Sequence, residues 1–205
     1  MTKVVFIRHG QTEWNANRRY QGQSDVPLSA AGEEQARLLA VNFPVEHLDA
    51  VYSSDLQRAM FTAKGVADRF GLSVCPEPAF RELCFGKWEG LTYEEIASQW
   101  PEAMVHFIKS PDVMIIPDGE TFPAVQERAI KRLHELIAMH EGQTIAITAH
   151  GAVLRTILAT ALHMPLKYLW SIRQFNTAIN IIRYDKDANP TVELVNGIAH
   201  LGEPL

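Results

Sequence analysis

Two histidines, each followed by a glycine, end two apolar segments that lie far apart in the chain. Arg8-His9-Gly10 follows the apolar residues 4–7, and His150-Gly151 follows residues 144–149. Both segments have the length and the β-branched content of buried strands. In open α/β sheets, ligands bind at the carboxyl ends of parallel strands. The sequence therefore predicts that two parallel strands bring the two imidazoles together at one ligand-binding edge.

Further motifs accompany these histidines along the whole chain. In chain order, the set is Arg8-His9-Gly10-x-Thr12-x-x-Asn15, Gln21-Gly22, Ser53-Ser54-Asp55-Leu56-x-Arg58-Ala59, Arg81-Glu82 with Gly86-x-Trp88-Glu89-Gly90, and Ala149-His150-Gly151. This set resembles the histidine phosphatase superfamily, also called the phosphoglycerate mutase-like family. The resemblance implies an enzyme that hydrolyses phosphate monoesters of small metabolites.

The resemblance also implies a role for each motif residue. His9 is expected to be the nucleophile, because a neutral imidazole nitrogen can attack phosphorus and so divide one displacement into two easier steps. Arg8, Arg58 and His150 are expected to hold the transferred phosphoryl group, whose oxygens match the paired donors of arginine. Further substrate contacts are expected from neighbouring motif residues, namely Asn15, Gln21, Gly22 and Gly151.

Glu82 occupies the position of the family's acid, after Arg81 and before the Gly86-x-Trp88-Glu89-Gly90 run. Its carboxyl group is expected to contact the substrate and to protonate the leaving alkoxide. In the second half-reaction the resulting carboxylate is expected to activate water. Glu77 and Glu89 are other carboxylates of this region, and Glu82 is preferred because only it matches the family's position.

No metal and no other cofactor is expected, since the eight histidines show no zinc-like spacing with the cysteines. One rival motif is Cys75-x5-Arg81, the spacing of cysteine-dependent phosphatases. Those sites wrap phosphate with backbone N–H groups, and here Pro76 and Pro78 have none to donate. We therefore interpret this spacing as a coincidence.

Alternatives remain within the superfamily. A cofactor-dependent phosphoglycerate mutase is less favoured than a phosphatase, because residues 83–86 replace the Arg-His-Tyr-Gly type run of the mutases and the insertion is shorter. Residues 82–96 resemble α-ribazole phosphatases, whereas residues 199–203 resemble metal-independent phosphoserine phosphatases, so the substrate stays open.

Four residues of these segments are expected to line the leaving-group side: Cys84, Phe85, Trp88 and His200. A non-catalytic phospho-ligand binding module is the alternative of another class.

Composition excludes several other classes of protein. The 205 residues carry a net charge of −5, which does not favour nucleic acid or an anionic membrane as a partner. The chain begins with a strand rather than with a basic and apolar leader, and it has only two cysteines. We therefore expect a cytoplasmic protein with reduced thiols.

Alternating apolar strands and amphipathic helices predict an α/β fold, specifically a three-layer α/β/α sandwich around a mostly parallel sheet. Residues 1–205 are expected to form one domain, with a small helical insertion at about 81–119 over the active site. Residues 12–27 are predicted to be a loop, residues 72–75 a strand, and Ser53-Ser54-Asp55 the cap of a helix. The apolar run 179–182 is predicted to be an edge strand of the sheet, which a homodimer could use to pair its two copies.

Overall fold

A six-stranded sheet forms the middle layer of the computed structural model, which describes residues 1–202. Its strands are β1 Thr2–Arg8, β2 Ala50–Ser53, β3 Val74–Pro76, β4 Thr144–Ala149, β5 Ile179–Tyr184 and β6 Pro190–Gly197. Their order across the sheet is β3-β2-β4-β1-β5-β6. The neighbours β3–β2, β2–β4 and β4–β1 pair in parallel, and the neighbours β1–β5 and β5–β6 pair antiparallel. The prediction of a mostly parallel sheet is confirmed.

Helices fill the connections between these strands. They are α1 Glu13–Ala16, α2 Ala30–Val41, α3 Gln57–Arg69, α4 Tyr93–Gln99, α5 Pro101–Lys109, α6 Phe122–Met139 and α7 Gly151–Ala161. Short 3₁₀ turns lie at Pro78–Phe80, Gly86–Trp88, Leu166–Ser171 and Ala199–Leu201. Among residues 1–202, no helix combines the length and the apolar character that a membrane crossing requires.

Side chains of the central strand β1 alternate between two apolar clusters, as the pleat of a strand requires. Val4 and Phe6 contribute to a cluster with α6, α7 and the helices α4 and α5. Val5 and Ile7 contribute to a second cluster with α2 and α3 on the other face. All four side chains are buried. The sheet is therefore covered on both faces, which confirms the three-layer prediction.

The start of α3 differs from the prediction. We predicted a cap from Ser53-Ser54-Asp55, but the helix begins at Gln57, and its N-cap residue makes no side-chain cap bond. The Gln57 N–H instead donates to Asp25 Oδ1 at 2.8 Å. The prediction was wrong because the side chains of Ser54 and Asp55 bond to His150 and Arg81. These partners are distant in sequence, so tertiary contacts replace the local cap.

Three other expectations need correction. The predicted loop 12–27 contains α1, which a reciprocal capping box between Thr12 and Asn15 begins. Strand β3 starts two residues later than expected, at Val74. The run 179–182 lies in β5, which pairs with β1 on one side and β6 on the other. It is therefore not a sheet edge, and the outer strands are β3 and β6.

Candidate active site

The carboxyl ends of β1 and β4 place the two histidines side by side. The parallel register sets Arg8 opposite Ala149, so His9 and His150 leave the sheet at the same edge. Their ring centroids are 5.0 Å apart. Both residues are buried, with 3% and 0% of their surfaces exposed. The prediction that the two imidazoles meet is confirmed.

The hydrogen bonds of His9 determine which ring nitrogen is available for chemistry. Nδ1 lies 2.6 Å from the carbonyl oxygen of Gly10. Because a carbonyl oxygen only accepts, we assign the proton to Nδ1, which leaves the lone pair on Nε2. The Gly10 N–H in turn donates to Thr62 Oγ1 at 3.0 Å. The His9 ring is thus fixed as the tautomer whose Nε2 can act as a nucleophile.

His150 contacts Ser54 through one nitrogen only. Its Nε2 lies 2.8 Å from Ser54 Oγ. Its buried Nδ1 has no hydrogen-bond partner within residues 1–202. A buried polar atom without a partner is costly, so it indicates a position where a ligand group belongs.

Burial and neighbouring cations keep both imidazoles neutral. The pKa of His9 lies well below its usual 6.5, chiefly because of desolvation and then because of the positive charges of Arg58 and Arg8. The pKa of His150 is also well below 6.5, from desolvation first and Arg58 second. A neutral imidazole is the nucleophilic form, so the environment favours the form that attack on phosphorus requires.

Two arginines lie next to these rings, of which Arg58 is buried and Arg8 is half-buried. Nη1 of Arg8 donates to the Gln174 carbonyl at 2.6 Å, whereas Arg58 donates from Nη1 and Nη2 to the carbonyls of Ser24 and Gly22 at 2.8 and 2.7 Å. The buried Nε of each arginine is without a partner in the described part of the chain. Desolvation lowers the pKa of Arg8 to about 10 and also lowers that of Arg58. Both guanidinium groups are therefore held by neutral carbonyls, and their positive charge is left for an anion.

Glu89 organises the loop that holds Arg58. Its carboxylate accepts the backbone N–H groups of Gln23, Ser24 and Phe85 at 2.9, 2.9 and 3.1 Å. Gly22 precedes these residues with φ +56°, and a Cβ there would lie 2.0 Å from Glu89 Oε1. Only glycine fits this turn. Glu89 is thus a support for the cation site rather than a second acid.

Glu82 lies at the amino end of α7, next to the histidines. Its Oε1 accepts the N–H groups of Leu83, Ala152 and Val153 at 2.9, 3.1 and 3.3 Å. The backbone carbonyl of Glu82 accepts from Arg128 Nη2 at 3.1 Å. The side chain is buried, with 9% of its surface exposed. Both the carboxyl group and the backbone of Glu82 are thereby fixed.

These groups surround a cavity of about 290 Å³. The structure brings eight of the predicted site residues to its wall: Arg8, His9, Asn15, Gln21, Gly22, Arg58, Glu82 and Gly151. His150 does not line the wall and lies behind it, in contact with His9. Of the four residues expected on the leaving-group side, Phe85 alone lines the cavity. Trp88 is fully buried in the core, His200 contacts Thr177, and Glu203 of the same tail lies outside the described residues.

Several lining residues were missed by the sequence reasoning. They belong to the outer part of the cavity: Arg18, Arg19, Tyr20, Phe107, Ala152, Arg155 and Trp170. Phe107 and Trp170 are neighbours, with ring centroids 4.7 Å apart. Each lies in a separate element with an ordinary amphipathic or irregular pattern. Of the missed residues, Arg155 alone had a local signal, since it lies one helical turn after the His150-Gly151 motif.

The rival cysteine motif does not form a site. Cys75 is exposed. Both ends of the Arg81 guanidinium bond to Asp55, at 2.6 and 2.5 Å, which lowers the pKa of that carboxyl group. Within residues 1–202, no three histidine, cysteine or acidic side chains are grouped as metal ligands.

The family model for the histidine phosphatase superfamily (branch 1) matches residues 4–197. The chain belongs to this superfamily. It is a phosphatase-type enzyme with the phosphoglycerate mutase-like fold. The match covers both histidine motifs and everything between them.

Relatives with different names share this similarity. Phosphoserine phosphatase 1 of Hydrogenobacter thermophilus is 34% identical over 203 residues, covering 99% of this chain and 96% of that protein. Phosphoglycerate mutase-like protein 4 of Arabidopsis thaliana is 34% identical over 98% of this chain and 87% of its own length. Family membership therefore leaves the substrate undecided.

Solved structures agree with the fold. YhfR of Bacillus stearothermophilus superposes with a TM-score of 0.93 at 34% identity, over 98% of this chain and 100% of that one. A putative α-ribazole-5′-P phosphatase of Escherichia coli superposes with a TM-score of 0.86 at 27% identity, over 96% and 97% of the two chains.

Proposed function

We propose that this histidine phosphatase hydrolyses the phosphate monoester of a small metabolite, without a metal, through a phosphohistidine on His9. The observation that carries the proposal is the position of His9 Nε2. It is the free nitrogen of a neutral imidazole, and it lies beside Arg8 and Arg58, whose charges no carboxylate neutralises by a salt bridge within residues 1–202. A phosphoryl dianion is the group that such a nucleophile and two such cations suit.

The first half-reaction transfers the phosphoryl group to the enzyme. The Nε2 lone pair of His9 forms the new N–P bond while the ester P–O bond breaks. The protonated carboxyl group of Glu82 gives its proton to the leaving alkoxide oxygen. Arg8 and Arg58 face the negative charge on the phosphoryl oxygens, with Asn15, Gln21 and Gly22 as neutral contacts. We expect the unpartnered Nδ1 of His150, which is buried beside His9, to complete this cradle when the phosphoryl group binds.

The second half-reaction returns the enzyme to its starting state. A water oxygen attacks phosphorus, the N–P bond breaks, and the electron pair returns to His9 Nε2. The Glu82 carboxylate accepts the proton that the water loses. Inorganic phosphate leaves, and Glu82 is again protonated for the next turnover. Glu82 suits both steps because it lies at the cavity wall among fixed N–H groups.

Trapping the covalent intermediate tests this proposal. The enzyme is mixed with p-nitrophenyl phosphate or phosphoserine, denatured in alkali within milliseconds, and digested for mass spectrometry. We expect one phosphate on the peptide that contains His9, and none in the His9→Ala variant, whose turnover should fall by about 10⁴-fold or more. Turnover should persist with a chelator present. A His9→Ala variant with full activity would contradict the mechanism.

A phosphoglycerate mutase is the second candidate, because several relatives of similar identity carry that name. A mutase requires that its phosphohistidine passes the phosphoryl group to a second substrate rather than to water. Assaying interconversion of 2- and 3-phosphoglycerate with 2,3-bisphosphoglycerate present separates the two activities. We expect phosphate release to exceed interconversion. A non-catalytic binding module would show neither activity.

The finer points of the proposal concern substrate, location and assembly. Phosphoserine and α-ribazole phosphate are the candidate substrates, and a panel of phosphorylated metabolites ranks them. We propose a cytoplasmic location on the basis that Cys75 and Cys84 are both free. A homodimer stays a proposal, and any dimer that extends the sheet has to use β3 or β6. Analytical ultracentrifugation of the purified protein measures its oligomeric state.

A further inference from the structure

Arg155 presents a fixed positive charge to the outer part of the cavity. Its Nε donates to the Ile172 carbonyl at 2.8 Å, and its Nη1 donates to the Gly151 carbonyl at 3.0 Å. The guanidinium lies over the Trp170 ring, with Cζ 5.3 Å from the centroid. Nη2 makes no hydrogen bond within residues 1–202, and Arg155 lines the cavity. The head group is thus held in place, with one nitrogen left to bind a ligand.

No salt bridge uses the charge of Arg155 among the described residues, although the nearby Glu82 carboxylate partly offsets it. Arg155 and Arg8 repel each other, and Arg155 is one cause of the lowered pKa of Arg8. Holding two half-buried cations this close together costs free energy unless an anion of the substrate compensates.

We propose that Arg155 binds a carboxylate of the substrate and so selects short phosphate esters that carry one. The inference rests on the proposed function, because it takes Arg8, Arg58 and His9 as the place of the phosphoryl group. A Cβ placed on Gly151 would lie 3.1 Å from Arg155 Nη1 and 3.6 Å from Arg8 Nε. The two guanidinium groups therefore flank one residue, which is a separation that a two- or three-carbon ester spans.

A carboxylate fits this position better than a second phosphate does. Only Nη2 of Arg155 is free, so the site offers one donor group and one charge rather than a cradle. The aromatic rings of Phe107 and Trp170 line the same part of the cavity and solvate ions poorly. Desolvating a singly charged group there costs less than desolvating a dianion.

Paired substrates that differ by one carboxylate test the proposal. O-phosphoserine and O-phosphoethanolamine share the phosphate ester and the amine, and phosphoethanolamine lacks the carboxylate. We expect kcat/KM of the wild-type enzyme to be higher for phosphoserine, and Arg155→Met to lower the ratio of the two kcat/KM values by about tenfold or more. Arg155→Lys, which keeps the charge, should retain part of the preference. The pair 3-phosphoglycerate and glycerol 3-phosphate repeats the comparison without an amine.

The control variant is Arg173→Met. Arg173 is exposed, contacts the Phe175 ring and does not line the cavity, so its removal changes the net charge equally without changing the site. We expect Arg173→Met to keep the wild-type ratio of the kcat/KM values for phosphoserine and phosphoethanolamine. Both substrates are measured on one preparation, so a partly unfolded Arg155→Met sample lowers both rates and leaves the ratio intact. An Arg155→Met ratio that stays at the wild-type value in both pairs would overturn the proposal.

Binding separates this inference from the proposed function. Calorimetry on His9→Ala, with and without Arg155→Met, measures affinity for phosphoserine and phosphoethanolamine without turnover. Tighter binding of phosphoserine that Arg155→Met abolishes supports the carboxylate site. Equal binding of the two ligands by His9→Ala overturns it. If the wild-type enzyme hydrolyses none of the four esters while His9→Ala still binds phosphoserine more tightly than phosphoethanolamine, hydrolysis at this site is contradicted and the carboxylate site stands.

Discussion

The inner and outer parts of the cavity are built by different forces. The inner part consists of His9, Arg8, Arg58 and Glu82, and hydrogen bonds to backbone groups fix each of them. The outer part combines aromatic rings with cations, of which Arg155 has no salt bridge within residues 1–202 and Arg19 pairs with Glu95. Arg8, His9 and Arg58 lie at a strand end and a helix start, and Glu82 lies in a loop, whereas Phe107 and Trp170 come from α5 and a 3₁₀ turn.

This difference separates chemistry from selection. Backbone hydrogen bonds hold the inner groups to a fraction of an ångström, as catalysis requires. Packing of aromatic side chains tolerates substitution more readily, so the outer wall can differ between relatives that share the inner one. Changes to the inner part should therefore affect all esters alike, and changes to the outer part should alter their ranking.

The largest loss of activity is expected from Glu82→Gln, a change in the inner part of the cavity. An amide neither donates the proton to an alkoxide nor accepts one from water, so kcat/KM for alkyl phosphates should fall by about 10² to 10⁴. The loss in the first step should be smaller for p-nitrophenyl phosphate, because nitrophenolate leaves without a proton. Rapid-mixing kinetics should then show a burst of about one nitrophenolate per site.

Glu77→Gln is the matched control for this variant. Glu77 pairs with Arg132 and does not line the cavity, so the control should keep wild-type rates. The division between the two parts would break down if the loss in Glu82→Gln depended on the carboxylate of the substrate rather than on its leaving group.

A smaller effect is expected from Glu89→Gln, which weakens the support of Arg58. The amide accepts through one oxygen, so part of the hydrogen bonding to Gln23, Ser24 and Phe85 is lost. We expect about tenfold lower kcat/KM on every ester and a free energy of unfolding lower by about 1–3 kcal/mol. Glu94→Gln, an exposed change on α4, is the control for the loss of charge. A change in substrate ranking instead of a uniform loss would contradict the assignment of Glu89 to the inner part.

The smallest predicted effect concerns stability between pH 6.5 and 5.5. The folded-state pKa values of His9 and His150 lie well below 6.5, whereas the unfolded chain titrates near 6.5. The unfolded state therefore binds more protons as the pH falls through 6.5, and the free energy of unfolding should fall by up to about 1.4 kcal/mol per pH unit for each histidine. Above that range this contribution to stability is fully present.

Urea titrations in phosphate-free buffer measure this slope. His9→Gln and His150→Gln should each remove one histidine's share of it in this window, and His200, whose pKa burial also lowers, supplies a further share. The two variants serve as controls for each other. An unchanged slope in both would show that the imidazoles are charged in the folded protein.

Much of the inner site could be predicted from the sequence because its residues follow short elements directly. Arg8, His9, His150 and Gly151 end or follow strands whose apolar pattern is local, and a parallel register fixes their meeting. The cap of α3 shows the limit of such reasoning. Ser53-Ser54-Asp55 has the composition of a helix cap, yet Ser54 and Asp55 bond to residues distant in sequence, and Asp25 takes over the cap.

Periodicity and motif spacing are properties of neighbouring residues. The amino-acid sequence alone therefore predicts the order of strands and helices, the pairing of the two histidines and the presence of cations beside them. Only the tertiary structure decided that β5 is an inner strand, that Glu89 supports Arg58, and that Arg155 and Trp170 share a cavity with His9. The reason is physical. Sheet order and cavity walls arise from contacts between segments far apart in the chain, and such contacts leave no periodic trace in any one of them.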